Sequence, residues 1–317
     1  MQMPELPVGQ VVDSGVEWLR ANLSPLFDAM HALISFLIDN VQWALNSPPW
    51  WVLVIIASAL AFWARGWRLA VFTTAGLAVI EGMSLWEATM DTIAMAVVAT
   101  ALAALVGIPT GILAARNALA SSVIRPVLDF MQTLPVFVYL IPAIFFFGIG
   151  IVPAVVATII FAVSPAVRLT ELGIRQVDPE MVEASVAFGA TPGQLLRHVQ
   201  LPLALPSIMT GINQAIMMSL SMVVIAGMVG AGGLGAVVLR GISQLDIGIG
   251  FEGGIAVVFV AIFLDRLTGA FPRARKQRKR EETVSGTDAT TSNEQSLNNS
   301  ENAPADPRPL TAHQPVA

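Results

Sequence analysis

Cysteine is absent from the 317-residue chain, which excludes disulfides, thiolate metal ligands and a cysteine nucleophile. Charge is scarce as well. Asp, Glu, Lys and Arg make up 12% of the residues, about half the fraction usual in a soluble domain. Tyr139 is the only tyrosine, and there are three histidines. The Gly-Lys-Ser/Thr ending of a phosphate-cradling loop occurs nowhere, so any ATP hydrolysis must come from another subunit, with ATP and Mg held there. No catalytic or metal-ligating constellation is expected in this chain. The first twenty residues hold acids and one late Arg20, without the basic stretch and apolar run of a cleavable signal peptide.

What is present is apolar. Hydrophobic residues make up 55% of the chain and the mean hydropathy is +0.70, the composition of an all-α polytopic membrane protein. The net charge of −5 says little about partners, because the charges sit in a few loops and the tail.

In residues 24–46 the polar positions Asp28, His31, Ser35, Asp39, Gln42 and Asn46 step by three or four, so an amphipathic helix is predicted there. It would lie in the membrane interface, or pack on the first spans with its stripe toward water. His31 is expected to be solvated. Apolar segments then follow near 50–64, 68–85, 93–114, 127–148, 151–167, 203–229 and 251–266, each near bilayer length, with Trp50, Trp51, Trp63, Trp67 and Trp86 at the expected surfaces. With the amino end outside, Arg65, Arg68, Arg116, Arg125, Arg168, Arg175, Arg197, Arg266 and the cluster Arg273 to Arg280 fall inside, and only Arg20 and Arg240 outside. The positive-inside rule therefore places the carboxyl end in the cytoplasm.

Pro135 and Pro142 each delete a helical hydrogen bond within one proposed span. Such breaks often line a pathway, and a kink with only a packing role explains them equally. The Tyr139 hydroxyl is expected on a freed carbonyl or on water. With Asn213 and Ser221 in a later span, these residues make a candidate translocation path. The glycine-rich run Met228 to Gly250 reads as a flexible external gate or a short re-entrant helix. Asp129, Glu252 and Asp265 lie in or near spans, where a carboxylate costs a few kcal/mol. An Asp129–Arg125 pair and an Asp265–Arg266 pair are expected, with proton coupling as the sharper alternative. After Phe271 the basic cluster would rest on anionic lipid, in preference to nucleic acid, and the polar remainder is expected to be a disordered tail.

Glu183 to Pro202 is a polar island in this apolar chain. Asp178 before Pro179 is a helix start. Met181, Ala184, Ser185 and Phe188 recur on one small face. Gly189 is a helix stop, and Thr191, Pro192 and Gln194 form a capping box that opens a second helix, expected to end before Pro202. A short helix pair of this kind is suited to a groove on another protein.

The pattern Glu183, Ala184, Ser185, Gly189, Val199, Leu201, Pro202 resembles the cytoplasmic loop of ABC importer permeases, with Ser185 where that family carries a third Ala. The resemblance implies that this loop docks on an ATPase subunit. Longer stretches, RPVLDFMQTLPVFVYLIPAIFFFGIG from Arg125, SPAVRLTELGIRQV from Ser164 and GINQAIMMSLSMVVIAGMVGAGGLG from Gly211, resemble permeases of glycine betaine, proline betaine and choline importers. This likeness covers roughly Trp86 to Leu267. It implies a type I ABC importer transmembrane domain with a five-span core over 88–267 and a coupling loop over 178–202. Two added spans would occupy 50–87, an extracytoplasmic segment 1–49 and the tail 272–317. It further implies a homodimer in the bacterial plasma membrane, two ATPase copies and an extracytoplasmic substrate-binding protein. A permease for another small amine or amino acid, an ion-driven secondary transporter and a membrane scaffold recruiting partners through its basic tail are the alternatives.

Overall fold

The computed structural model describes residues 8–270. The basic cluster and tail expected after Phe271 lie outside the described residues. Every regular element among the described residues is helical.

A long first helix, α1 (Val8–Asn46), leads into a hairpin of α2 (Trp50–Arg65) and α3 (Trp67–Gly82). The hairpin turns at Gly66, whose φ of +83° favours glycine. Each of its helices has 16 residues, about 24 Å, which is short of a bilayer core. The next helices are α4 (Trp86–Arg116), α5 (Ala118–Thr133), α6 (Val136–Phe147) and α7 (Ile151–Arg175). The loop holds α8 (Pro179–Ala187) and α9 (Pro192–Gln194), and after it come α10 (Leu201–Ala226), α11 (Gly233–Gln244) and α12 (Ile247–Thr268). Among the described residues five helices are long and apolar enough to cross a membrane, and the α5–α6 pair would make a sixth.

The continuous span expected over 127–148 is instead this broken pair, bent by 97° between Thr133 and Val136. Pro135 is the residue before α6; lacking an N–H, it cannot carry the α5 ladder across the bend. Both α4 and α7 extend beyond the stretches read from hydropathy, because they continue in polar residues to Arg116 and Arg175.

Three helices pack at the centre. Gly107 and Gly111 of α4 lie against α7, where an added Cβ would fall 2.7 Å from the Ala166 Cβ and 2.6 Å from the Thr170 Cβ. Gly173 of α7 meets Ser207 of α10 in the same way, at 2.7 Å. Small residues let backbones approach, and van der Waals packing holds helices where lipid removes the hydrophobic drive. With an added Cβ on Gly211 of α10 meeting the Leu169 Cβ of α7 at 3.0 Å, these contacts make α4 parallel and α10 antiparallel to α7.

From Phe27 to Asn46, about 28 Å of helix, α1 touches only the ends of this bundle that face away from the α7–α10 loop. Phe27 stacks on Phe146 at 4.5 Å, and Gln42 and Asn46 both donate to Asp91 near the start of α4, at 3.0 and 3.4 Å. Ile34 and Ile38 enter the main core. This stretch therefore crosses over the bundle ends with Ile34 and Ile38 inward; of its polar stripe Ser35 and Gln42 are half-buried, and Asp28, His31, Asp39 and Asn46 are exposed. His31, expected in solvent, is exposed and lines an open cleft there.

The glycine-rich run after α10 opens as a π turn, Gly227–Ala231, in which Val229 and Gly230 leave helical geometry. The short helix α11 follows, held to α4 by the Leu234 N–H donating to the Thr92 hydroxyl at 2.8 Å.

Candidate functional site

Helix α7 ends three residues before Asp178, whose side chain accepts from the Glu180 backbone N–H at 3.0 Å and starts α8 (Pro179–Ala187). Gly189 takes a φ of +82° and turns the chain. Thr191 and Gln194 then cap each other across α9 (Pro192–Gln194), the Thr191 N–H donating to Gln194 Oε1 at 2.9 Å and the Gln194 N–H to Thr191 Oγ1 at 3.4 Å. The start, turn and capping box read from the sequence are all in place.

The second helix does not end before Pro202. It widens into a π turn, Leu195–Gln200, and runs on as α10, with Pro202 in the first turn of that helix. A π turn shifts the hydrogen-bond ladder by one residue, so the missing N–H and the ring of Pro202 fall at the change of register. Leu196 and Leu201 pack on Ile174, Ala204 and Ile208. Leu201 therefore fastens the loop to the bundle, while Val199 is half-buried.

No residue of α8 is buried. Met181 and Val186 are half exposed or more, and Phe188 is 93% exposed. Ser185 turns its hydroxyl onto the Met181 carbonyl at 2.7 Å, and Ala184 and Glu183 face out. Met181, Val186 and Phe188 thus make an exposed apolar knob on a capped, fastened support.

One turn before the loop lies a group that motif reading missed. Glu171 of α7 is 3% exposed. It accepts from the Ser121 hydroxyl at 2.8 Å and from Arg125 at 2.9 and 3.3 Å. It also pairs with Arg175 at 3.0 Å, which in turn donates to the Ala114 carbonyl at 2.9 Å. One carboxylate thus ties α5 and, through Arg175, α4 to the end of α7 from which the loop departs. The sequence signal was there: an acid three residues after Arg168 and four before Arg175, at the end of a long apolar run.

The expected Asp129–Arg125 pair is not formed. Arg125 turns to Glu171, and Asp129 pairs with Arg168 of α7; neighbours on one helix lose here to a facing helix that offers a buried partner. Asp265 likewise accepts from Asn213 at 3.1 Å rather than pairing with Arg266. Glu252 is exposed.

The candidate path residues do not converge on one site. Tyr139 packs with Leu140, Ala143, Ala157 and Met222. Its buried hydroxyl has no partner among the described residues, so of the two expected partners, a freed carbonyl or water, the carbonyl is not the one it meets. Pro135 and Pro142 lie exposed on the bent pair. Asn213 is engaged with Asp265 and Thr268 toward the loop end. Ser221, about 12 Å further along α10, bonds its own helix at the Met217 carbonyl.

Residues 107–277 match the family described as binding-protein-dependent transport system inner membrane component. The chain belongs to this permease family. Over 277 residues it is 43% identical to the glycine betaine transport system permease protein OpuAB of Bacillus subtilis, covering 87% of this chain and 98% of that one. It is 45% identical to the glycine betaine/carnitine transport permease protein GbuB of Listeria monocytogenes, over 86% of this chain and 98% of the relative. Against the glycine betaine/proline betaine permease ProW of Escherichia coli the identity is 44%, over 86% of this chain and 77% of the relative. Among solved structures, the inward-facing MetNI methionine ABC transporter superposes with a TM-score of 0.55 at 24% identity, over 58% of this chain and 92% of that one, a likeness of fold. The permease family supplies the inner-membrane component of binding-protein-dependent transport, and its multi-pass helical architecture is the one seen here.

Proposed function

We propose that this chain is the transmembrane subunit of an ATP-driven importer of a small quaternary ammonium compound, and that α8, the Gly189 turn and α9 form its coupling element. The observation that carries this reading is the Phe188 knob, 93% exposed on a helix pair whose capping and anchoring hold it rigid. The relatives named for glycine betaine, carnitine and proline betaine support the substrate class. ATP hydrolysis belongs to a separate subunit, and substrate arrives from an extracytoplasmic binding protein.

In this reading a second copy completes the permease, the loop and carboxyl end face the cytoplasm, and α1 lies at the outer surface. The boundaries 50–87, 88–267 and 272–317 stand as proposed units, and the basic tail contacts anionic lipid. Closure of the ATPase dimer would move α8, α9 and the π turn together. The Glu171 network passes that displacement to α4 and α5, and α5 to the bent α6. A ligand shifts an equilibrium only by its differential affinity for two states, so substrate alone cannot drive uphill uptake and the ATPase must supply the bias.

Uptake of labelled glycine betaine into vesicles tests the proposal. Uptake is expected to need this chain, the ATPase, the binding protein and internal ATP together. Uptake by the chain alone would establish an ion-driven carrier instead; two of the three carboxylates such a carrier could use, Asp129 and Asp265, are engaged by Arg168 and Asn213.

A further inference from the structure

On the bundle face away from the loop, α1 and the α6–α7 turn border an open cleft of about 220 Å³, in which Ser35 is half-buried and His31 and Asp39 are exposed. His31, Ser35 and Asp39 enter it from α1 at one-turn spacing, above Ile38. Phe147, Gly150 and Ile151 are among the residues on the opposite wall. Both walls are fixed. Phe27 stacks on Phe146 and meets Phe147 edge-on at 5.7 Å, Ile34 and Ile38 are buried, and Gln42 and Asn46 hold Asp91. The cleft is therefore preformed and open to solvent, and not a gap beside a loose helix.

Its chemistry has a sign. Asp39 forms no hydrogen bond or ion pair among the described residues, and no lysine or arginine lines the cleft. An aromatic ring stands on the other wall, and aromatic faces attract cations that lack N–H groups as well as those that carry them. His31 and Ser35, which also have no side-chain partner among the described residues, add polar groups that can donate hydrogen bonds. The volume suits a small organic molecule and not a macromolecular segment.

We infer that this cleft binds the ammonium end of a small organic cation or zwitterion, held by Asp39 and Phe147, with His31 and Ser35 available to a carboxylate at its other end. The occupant bridges α1 to the α6–α7 turn, away from the coupling loop and from the candidate path. The inference rests on the cleft; only the choice of glycine betaine as one probe rests on the proposed substrate class.

Equilibrium binding of labelled tetramethylammonium and of labelled glycine betaine to the full chain in lipid nanodiscs, without ATPase or binding protein, tests it. Both probes are expected to bind saturably, acetate is expected not to displace tetramethylammonium, and Asp39→Asn should weaken both at least tenfold while Asp39→Glu restores binding. Ser35→Trp, which fills the cleft, should abolish it. Absence of saturable binding in the native chain, or binding unchanged by Asp39→Asn and Ser35→Trp, would overturn the inference. Either result leaves the importer reading to the vesicle experiment, where the loop and not the cleft is at stake.

Discussion

Arg125 and Glu171, on separate helices, form a two-pronged ion pair in which only one partner is buried: the Arg125 side chain is 56% exposed and that of Glu171 3%. The asymmetry has consequences, because a carboxylate left alone in the interior loses its hydration, whereas an arginine left alone here can still reach water.

Removing the two arginines should therefore harm the protein more than removing the acid. Arg125→Ala with Arg175→Ala strands Glu171 on the Ser121 hydroxyl and is expected to cost about 3–5 kcal/mol. Glu171→Gln keeps a hydrogen-bonding side chain in place and should cost about 1–2 kcal/mol. Thermal unfolding of the purified variants in one detergent gives the order, and the reverse order would refute the account of the network.

Gly189→Val should leave the protein folded and in the membrane while separating ATP hydrolysis from uptake. The position has open space around a Cβ but a φ of +82°, so the penalty is backbone strain of about 1–2 kcal/mol or more for a β-branched residue. Gly189→Asn, which tolerates that conformation, should retain most uptake. Substrate moved per ATP hydrolysed is the measurement; normal uptake by the Val variant would remove the coupling assignment.

Phe188→Asp changes a side chain that touches almost nothing in this chain, so stability should shift by no more than about 0.5 kcal/mol. Co-purification of the ATPase should fall at least tenfold. A variant that still binds the ATPase at native affinity would show that the knob is not the docking element.

Gly111→Leu forces a large side chain against the Val167 carbonyl and Thr170. Overpacking usually costs about 1–3 kcal/mol, occasionally more, and because backbone is one of the obstacles the upper end is expected. Lower yield of folded protein and a reduced unfolding temperature would register it, while Gly82→Leu, at a site open to space, should have little effect.

Much of the short helix-pair loop is legible in the sequence because capping is local chemistry. Asp178 with Pro179, Gly189, and Thr191 with Gln194 each act within four residues, so their consequences do not depend on what packs around them. Pro202 reads as a helix end because in a regular α-helix its ring and missing N–H end the ladder; a π turn that moves the register is a cooperative choice of the whole segment. The bend at Pro135 was half legible in the same way, as a break without an angle.

Composition and periodicity by themselves determined that this is a helical membrane protein, where its apolar segments lie, and that a polar helix pair interrupts them. Tertiary structure alone decided which charges meet. Asp129 could have reached Arg125 along its own helix, but the facing helix brought Arg168 to it and Glu171 to Arg125, and no spacing rule spans the 46 positions between those last two. It also laid α1 across the bundle ends with Ile34 and Ile38 inward. Amphipathicity fixes that a helix has two faces, and only the surface it meets decides what each face will touch.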